Sequence, residues 1–187
     1  MKTCNAVFAV LGVVLLCGIV FADSGNPVFQ AKRILVVYYS RTGNTEQVAK
    51  DIAGRLKADM EKITDRHNRS GFFGVISAAR AASNEKMTDI GIPQKDPSLY
   101  DLVIVGTPTW AGRMTPAVRT YIGMNKGKFK AIAFFTTSHN TKAEKVVAKL
   151  EEIATQKAVA STGFDKNELK DTKVYNDKID AFVKALQ

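Results

Sequence analysis

The sequence predicts an α/β domain of the doubly wound kind: five parallel strands in the order 2-1-3-4-5, with helices on both faces. Three observations carry this. The runs Ile34–Val37, Leu102–Val105 and Ala131–Phe135 are unbroken apolar stretches, as strands covered on both faces require. They alternate with segments whose apolar residues recur at helical spacing, which argues for a parallel sheet with crossover helices. The loop after the first strand has the composition of a ligand loop, and open sheets of this class bind ligands at the carboxyl ends of their strands, at the switch point between the first and third.

The elements follow in order. Residues 1–22 differ in kind from the rest. Lys2 precedes a 17-residue uncharged stretch, Ala6–Ala22, and Val20-Phe21-Ala22 offers an export-peptidase site. This reads as a cleaved signal peptide. The stretch is at the lower edge of what spans a bilayer, so an uncleaved anchor is the competing reading. Residues 23–32 are a polar lead-in, and 33–187 form the domain. Strand one is Arg33–Tyr39. Thr45–Ala58 is a helix with Val48, Ile52, Ala53 and Leu56 on one face. Asp59–Thr64 is a weak strand, 65–71 a polar turn, and Phe72–Asn84 an Ala-rich helix. Met87–Ser98, with two prolines, is a loop. Leu102–Gly106 is strand three, and Pro116 opens a helix to Ile122, proline being suited to a first turn. Ala131–Thr137 is strand four, Thr141–Thr155 a helix, Lys157–Phe164 strand five and Asn176–Leu186 an amphipathic helix.

Composition narrows the chemistry. Both cysteines, Cys4 and Cys17, precede residue 23, so the remainder has no disulfide, thiolate nucleophile or Cys-ligated metal site. The formal net charge is +9, and removing 1–22 takes away only Lys2. The positive charge is scattered, densest at Lys126, Lys128 and Lys130, without the aromatic interleaving of a nucleic-acid surface. It favours acidic partners or an anionic membrane surface.

The most informative string is Ser40-Arg41-Thr42-Gly43-Asn44-Thr45, between an apolar strand and a helix. The first amides of a helix have no intrahelical acceptors and sit at the positive end of its dipole. A phosphate group can take them, hydroxyls add donors, and Gly43 permits close approach. Neither G-x-x-x-x-G-K-[ST] nor G-x-G-x-x-G occurs in the chain, so the common ATP and dinucleotide loops are not supported. After strand three comes Thr107-Pro108-Thr109-Trp110-Ala111-Gly112, with the only Trp of the chain placed where a ligand would lie. An indole there can stack on a flat heteroaromatic ring, worth about 1–3 kcal/mol by analogy with base–aromatic pairs.

Ser-Arg-Thr-Gly-Asn-Thr resembles the phosphate loop of the flavodoxin family, [ST]-x-T-G-x-T. Gly-Thr-Pro-Thr-Trp (106–110) resembles the second FMN loop of the same family. The resemblance extends from Arg33 to the C-terminus and fits the short-chain type, since 157–164 leaves no room for a strand-splitting insertion. It implies FMN as cofactor and electron transfer. Ser40, Thr42, Asn44 and Thr45 would hold the phosphate, with Arg41 and Gly43 as backbone donors. Pro108, Thr109, Trp110, Ala111 and Gly112 would line the ring, and Thr137, Ser138, His139 and Asn140 its other side. Family members often place a Tyr in that third loop; here only His139 stands at the tip. The function expected is an electron carrier acting outside the cytoplasm, monomeric, with an acidic redox partner. An FMN-dependent NAD(P)H:quinone reductase and a flavin-free binding module are the alternatives.

Overall fold

Ile34–Tyr38 is buried at every position and forms β1, the second strand of the sheet, in the computed structural model. The structure describes residues 32–66, 82 and 86–187. The expected signal peptide and nearly all of the lead-in lie outside the described residues. So does the expected helix Phe72–Asn84 apart from Ala82, which is helical and buried.

From β1 the chain enters α1 (Asn44–Leu56) and returns as β2 (Asp59–Lys62), parallel to β1. A 3-10 turn at Pro97–Leu99 precedes β3 (Leu102–Trp110). There follow β4 (Arg113–Met114), α2 (Pro116–Met124), β5 (Ile132–Thr137), α3 (Ala143–Ala154), β6 (Ser161–Phe164) and α4 (Thr172–Leu186). The sheet order is β2-β1-β3-β5-β6, with all neighbours parallel, and β4 pairs only with β3, antiparallel. Setting β4 aside, this is the expected 2-1-3-4-5 order.

Side chains alternate across the sheet, which divides the core. Val36 and Ile104 pack with Val48 and Ile52 of α1 and Phe182 and Leu186 of α4. Val37 and Val105 face the other way, onto Val118 and Tyr121 of α2 and Val146 and Leu150 of α3. Helices α1 and α4 therefore share one face of the sheet. Arg55 Nη2 donates to Asn176 Oδ1 at 2.7 Å and the Tyr175 hydroxyl donates to Asp51, which join them.

Two boundaries differ from the sequence reading in ways that matter for the site. First, β3 continues past Gly106. Its pairing with β5 runs on to Pro108↔Thr137, and its last two residues form a hairpin with β4, Thr109↔Met114 and Trp110↔Arg113. Ala111 and Gly112, with φ of 49° and 73°, make the tight turn, the two consecutive positive φ values that match strand twist. Second, α4 begins at Thr172 rather than Asn176, because the Asp171 carboxylate accepts from the amides of Lys173 and Val174 at 3.0 and 3.1 Å.

Candidate functional site

The carboxyl ends of β1, β3, β5 and β6 open on one side of the sheet, and between them lies a cleft of about 410 Å3. That is within the roughly 300–1,000 Å3 of small-molecule sites. Just before the cleft residues of β3 the strands pack closely: a Cβ on Gly106 would meet Phe135 Cζ at 2.0 Å.

The β1–α1 loop forms one wall. Gly43 is the N-cap of α1 with φ 96°, and among the described residues no side chain caps the helix. The first helical bond runs from Gln47 N–H to Gly43 O at 2.9 Å, so the amides before it have no acceptor from the helix itself. Ser40 does not line the cleft. It is nearly buried, and its Oγ accepts the Gly43 N–H at 3.2 Å, which shapes the loop from within. Thr45 is buried in the cleft wall, with its hydroxyl 2.7 Å from that of Thr137, tying the β1–α1 loop to the end of β5. Arg41, Thr42 and Asn44 are exposed and line the opening. Glu46, the acid of the first helical turn, is turned to Lys62 (2.7 Å) and Lys50 (3.1 Å), and these two lysines hold its carboxyl below the usual range.

The end of β3 forms the second wall through Pro108, Thr109 and Trp110. Tyr39 meets Trp110 edge to face, with ring centroids 5.6 Å apart and planes at 83°, which fixes the indole. The Oγ1 of Thr109 is buried and, among the described residues, has no hydrogen-bond partner. A buried hydroxyl left unpaired costs about 1–3 kcal/mol, so its place on the cleft wall favours a polar ligand atom there. Ala111 and Gly112 turn the hairpin beyond the cleft and do not line it.

The third loop brings Thr137, Ser138 and His139 to the cleft. Ser138 Oγ accepts from Thr141 N–H at 3.0 Å and donates to Thr141 O at 2.9 Å, closing the turn on itself. Asn140 lies outside the cleft, in a neighbouring depression with Asp165 and Lys178. The sequence reading missed Lys166, Leu169 and Lys170, which follow β6 and complete the lining. No motif marks them; only the parallel pairing Thr137↔Phe164 carries this segment to the same edge. Among the described residues, three cations and a histidine line the cleft, and no carboxylate does.

The indole-bearing end of β3 and the uncapped start of α1 line one cleft together with Arg41, Lys166 and Lys170 and with Thr109, whose hydroxyl is unpaired among the described residues. These residues fit a ligand with a flat ring at one end and a phosphate at the other. A family model described as Flavodoxin matches residues 33–185. Among solved structures the chain is similar to a flavoprotein from Lactobacillus acidophilus NCFM in complex with FMN (TM-score 0.64, 23% identity, covering 75% of this chain and 97% of that one). It is similar also to the apo-form of the flavoprotein from that organism (TM-score 0.59, 23% identity, 76% and 97% covered). A third is a flavoprotein candidate from Bacteroides eggerthii (TM-score 0.62, 20% identity, 80% and 98% covered). At these identities the solved structures establish the shared fold.

Proposed function

The chain belongs to the flavodoxin family, and from that premise we propose that it binds FMN in this cleft and works as an electron-transfer flavoprotein outside the cytoplasm. The observation that carries the reading is the uncapped start of α1 opening into the same cleft as Trp110. FMN would supply one- and two-electron chemistry at its ring. The chain's part is to hold and orient it and to set the electrostatics. The amides at the start of α1 and the Thr42 hydroxyl would hold the phosphate. Trp110, fixed by Tyr39, would cover one ring face, and the Thr109 hydroxyl would meet a ring or side-chain heteroatom. His139 stands at the other side, and its smaller ring would leave that face more open than a tyrosine would.

Residues 1–22 support export, and the basic composition supports an acidic redox partner. The test is to add FMN to the purified full chain and record absorbance and Trp fluorescence. Retained flavin bands with quenched Trp110 emission are expected. A colourless protein with unchanged emission would instead favour a flavin-free module. Sustained NAD(P)H turnover with a quinone would favour the reductase alternative.

A further inference from the structure

We propose that Lys166 and Lys170 form a cationic clamp on the phosphate end of the cleft and make the site selective for phosphorylated over unphosphorylated flavin. This rests on the FMN reading above.

The segment from 165 to 171 is built to present these two ammonium groups. Its carboxylates are all engaged elsewhere. Asp165 Oδ1 accepts from the amides of Asn167 (2.7 Å) and Glu168 (2.9 Å), and those two bonds, Glu168 first, hold its carboxyl below the usual range. Glu168 accepts from the Asp165 amide at 2.9 Å and from Lys178 Nζ at 2.8 Å. Asp171 caps α4. Leu169 packs against the core beneath α4, which anchors the turn, and the amides of Leu169 and Lys170 bond back to Asp165 O and Asn167 O at 3.0 Å each. What remains for the cleft is Lys166 and Lys170, exposed and, among the described residues, without an ion-pair partner.

Their place in the fold says which end of a ligand they meet. The turn leads into α4, and α4 packs beside α1 on the same face of the sheet. Asn44 and Thr45, at the uncapped start of α1, line the same cleft as the two lysines, whereas Trp110 packs against the opposite face, with Val37 and Val105. A dianion held at α1 would draw both lysines, and a neutral hydroxyl in its place would draw neither. Exposed charge pairs are individually weak, but two acting on one dianion give roughly a tenfold gain in affinity.

The experiment titrates the full chain, freed of flavin, with FMN and with riboflavin, following Trp110 emission. It compares the wild type with K166Q/K170Q and K166R/K170R. The glutamine pair should weaken FMN about tenfold, leave riboflavin unchanged and flatten the salt dependence of FMN binding. The arginine pair should keep wild-type FMN affinity. If the glutamine pair binds FMN as the wild type does, or loses both flavins equally, the clamp is overturned while the FMN reading stands. A wild type that takes up neither flavin overturns that reading and the clamp with it.

Discussion

Gly106 shows how a single missing methyl can let a strand pack against a buried ring. It lies on β3 opposite Phe135 of β5, and a Cβ there would come within 2.0 to 2.6 Å of three ring atoms of a phenylalanine that is itself fully buried. The ring has no exposed side to move into, so the strands would have to part. Overpacking of this kind costs about 1–3 kcal/mol. Gly106→Ala should therefore lower the thermal midpoint clearly and weaken FMN binding with it, because Thr107–Trp110 continue directly from the displaced backbone. Thermal unfolding monitored by circular dichroism checks the first effect, and an unchanged midpoint would show that the sheet gives way at no cost. Gly43 contrasts with it: nothing lies within 4 Å of its would-be Cβ, and its requirement is the positive φ alone. The glycine of the phosphate loop was legible from the string around it. Gly106 was legible as a strand end and as the first residue of the Gly-Thr-Pro-Thr-Trp string, but its clash was not, since the ring that excludes a side chain comes from a residue 29 positions away in sequence.

At the scale of elements, the strands buried on both faces were the most legible part, because a short continuous apolar run between polar turns suits a strand covered on both sides and little else. Elements defined by partners were not. The extension of β3 to Trp110 contains Pro108 and two threonines beside the Trp, and reads as a loop until Thr137 and Met114 pair with it. The same holds for Lys166, Leu169 and Lys170, whose presence in the cleft depends on the β5–β6 register. Elements are also joined by carboxylates, which makes the joints sensitive to acid. Asp59 of β2 accepts from the Tyr100 hydroxyl at 2.6 Å. Asp101 accepts from the Arg33 amide at 2.9 Å, linking the starts of β3 and β1, and from Lys130 at 3.1 Å. Glu151 of α3 accepts from Lys157 at 2.7 Å and the Ala158 amide at 3.0 Å, holding the approach to β6. Each of these bonds lowers the carboxyl pKa in the folded chain, led by Tyr100, the Arg33 amide and Lys157 respectively. A depressed folded pKa means stability that is fully present above the unfolded value, about 4, and lost as pH falls through the folded value. The unfolding midpoint should thus be insensitive to these groups near neutrality and fall below roughly pH 4. Melting curves between neutral and acid pH measure it, and a midpoint that holds steady across that acid range would contradict the assignment.

The whole molecule carries a formal net charge of +9, and the cleft repeats that bias locally, with Arg41, Lys166 and Lys170 on its walls and no carboxylate among its described lining residues. The effect of such a field on a bound flavin has a definite sign. Reduction adds negative charge at the ring, a positive potential stabilises the reduced form, and the midpoint potential rises. A flavodoxin with an acidic surround has the opposite bias, so the potential for the second electron should be less negative here. Because the cations are exposed, salt must weaken the effect: the Debye length falls from about 30 Å at 0.01 M to about 3 Å at 1 M ionic strength. The midpoint potential of the FMN-loaded chain should accordingly become more negative as salt is raised, and association with an acidic redox partner should weaken over the same range. A spectroscopic redox titration at low and high salt separates this field from the local work of Trp110 and Thr109, whose contacts do not depend on ionic strength. A potential that is flat or rises with salt would mean that the scattered lysines are too distant or too well solvated to act on the ring, and that the cleft walls alone set its chemistry.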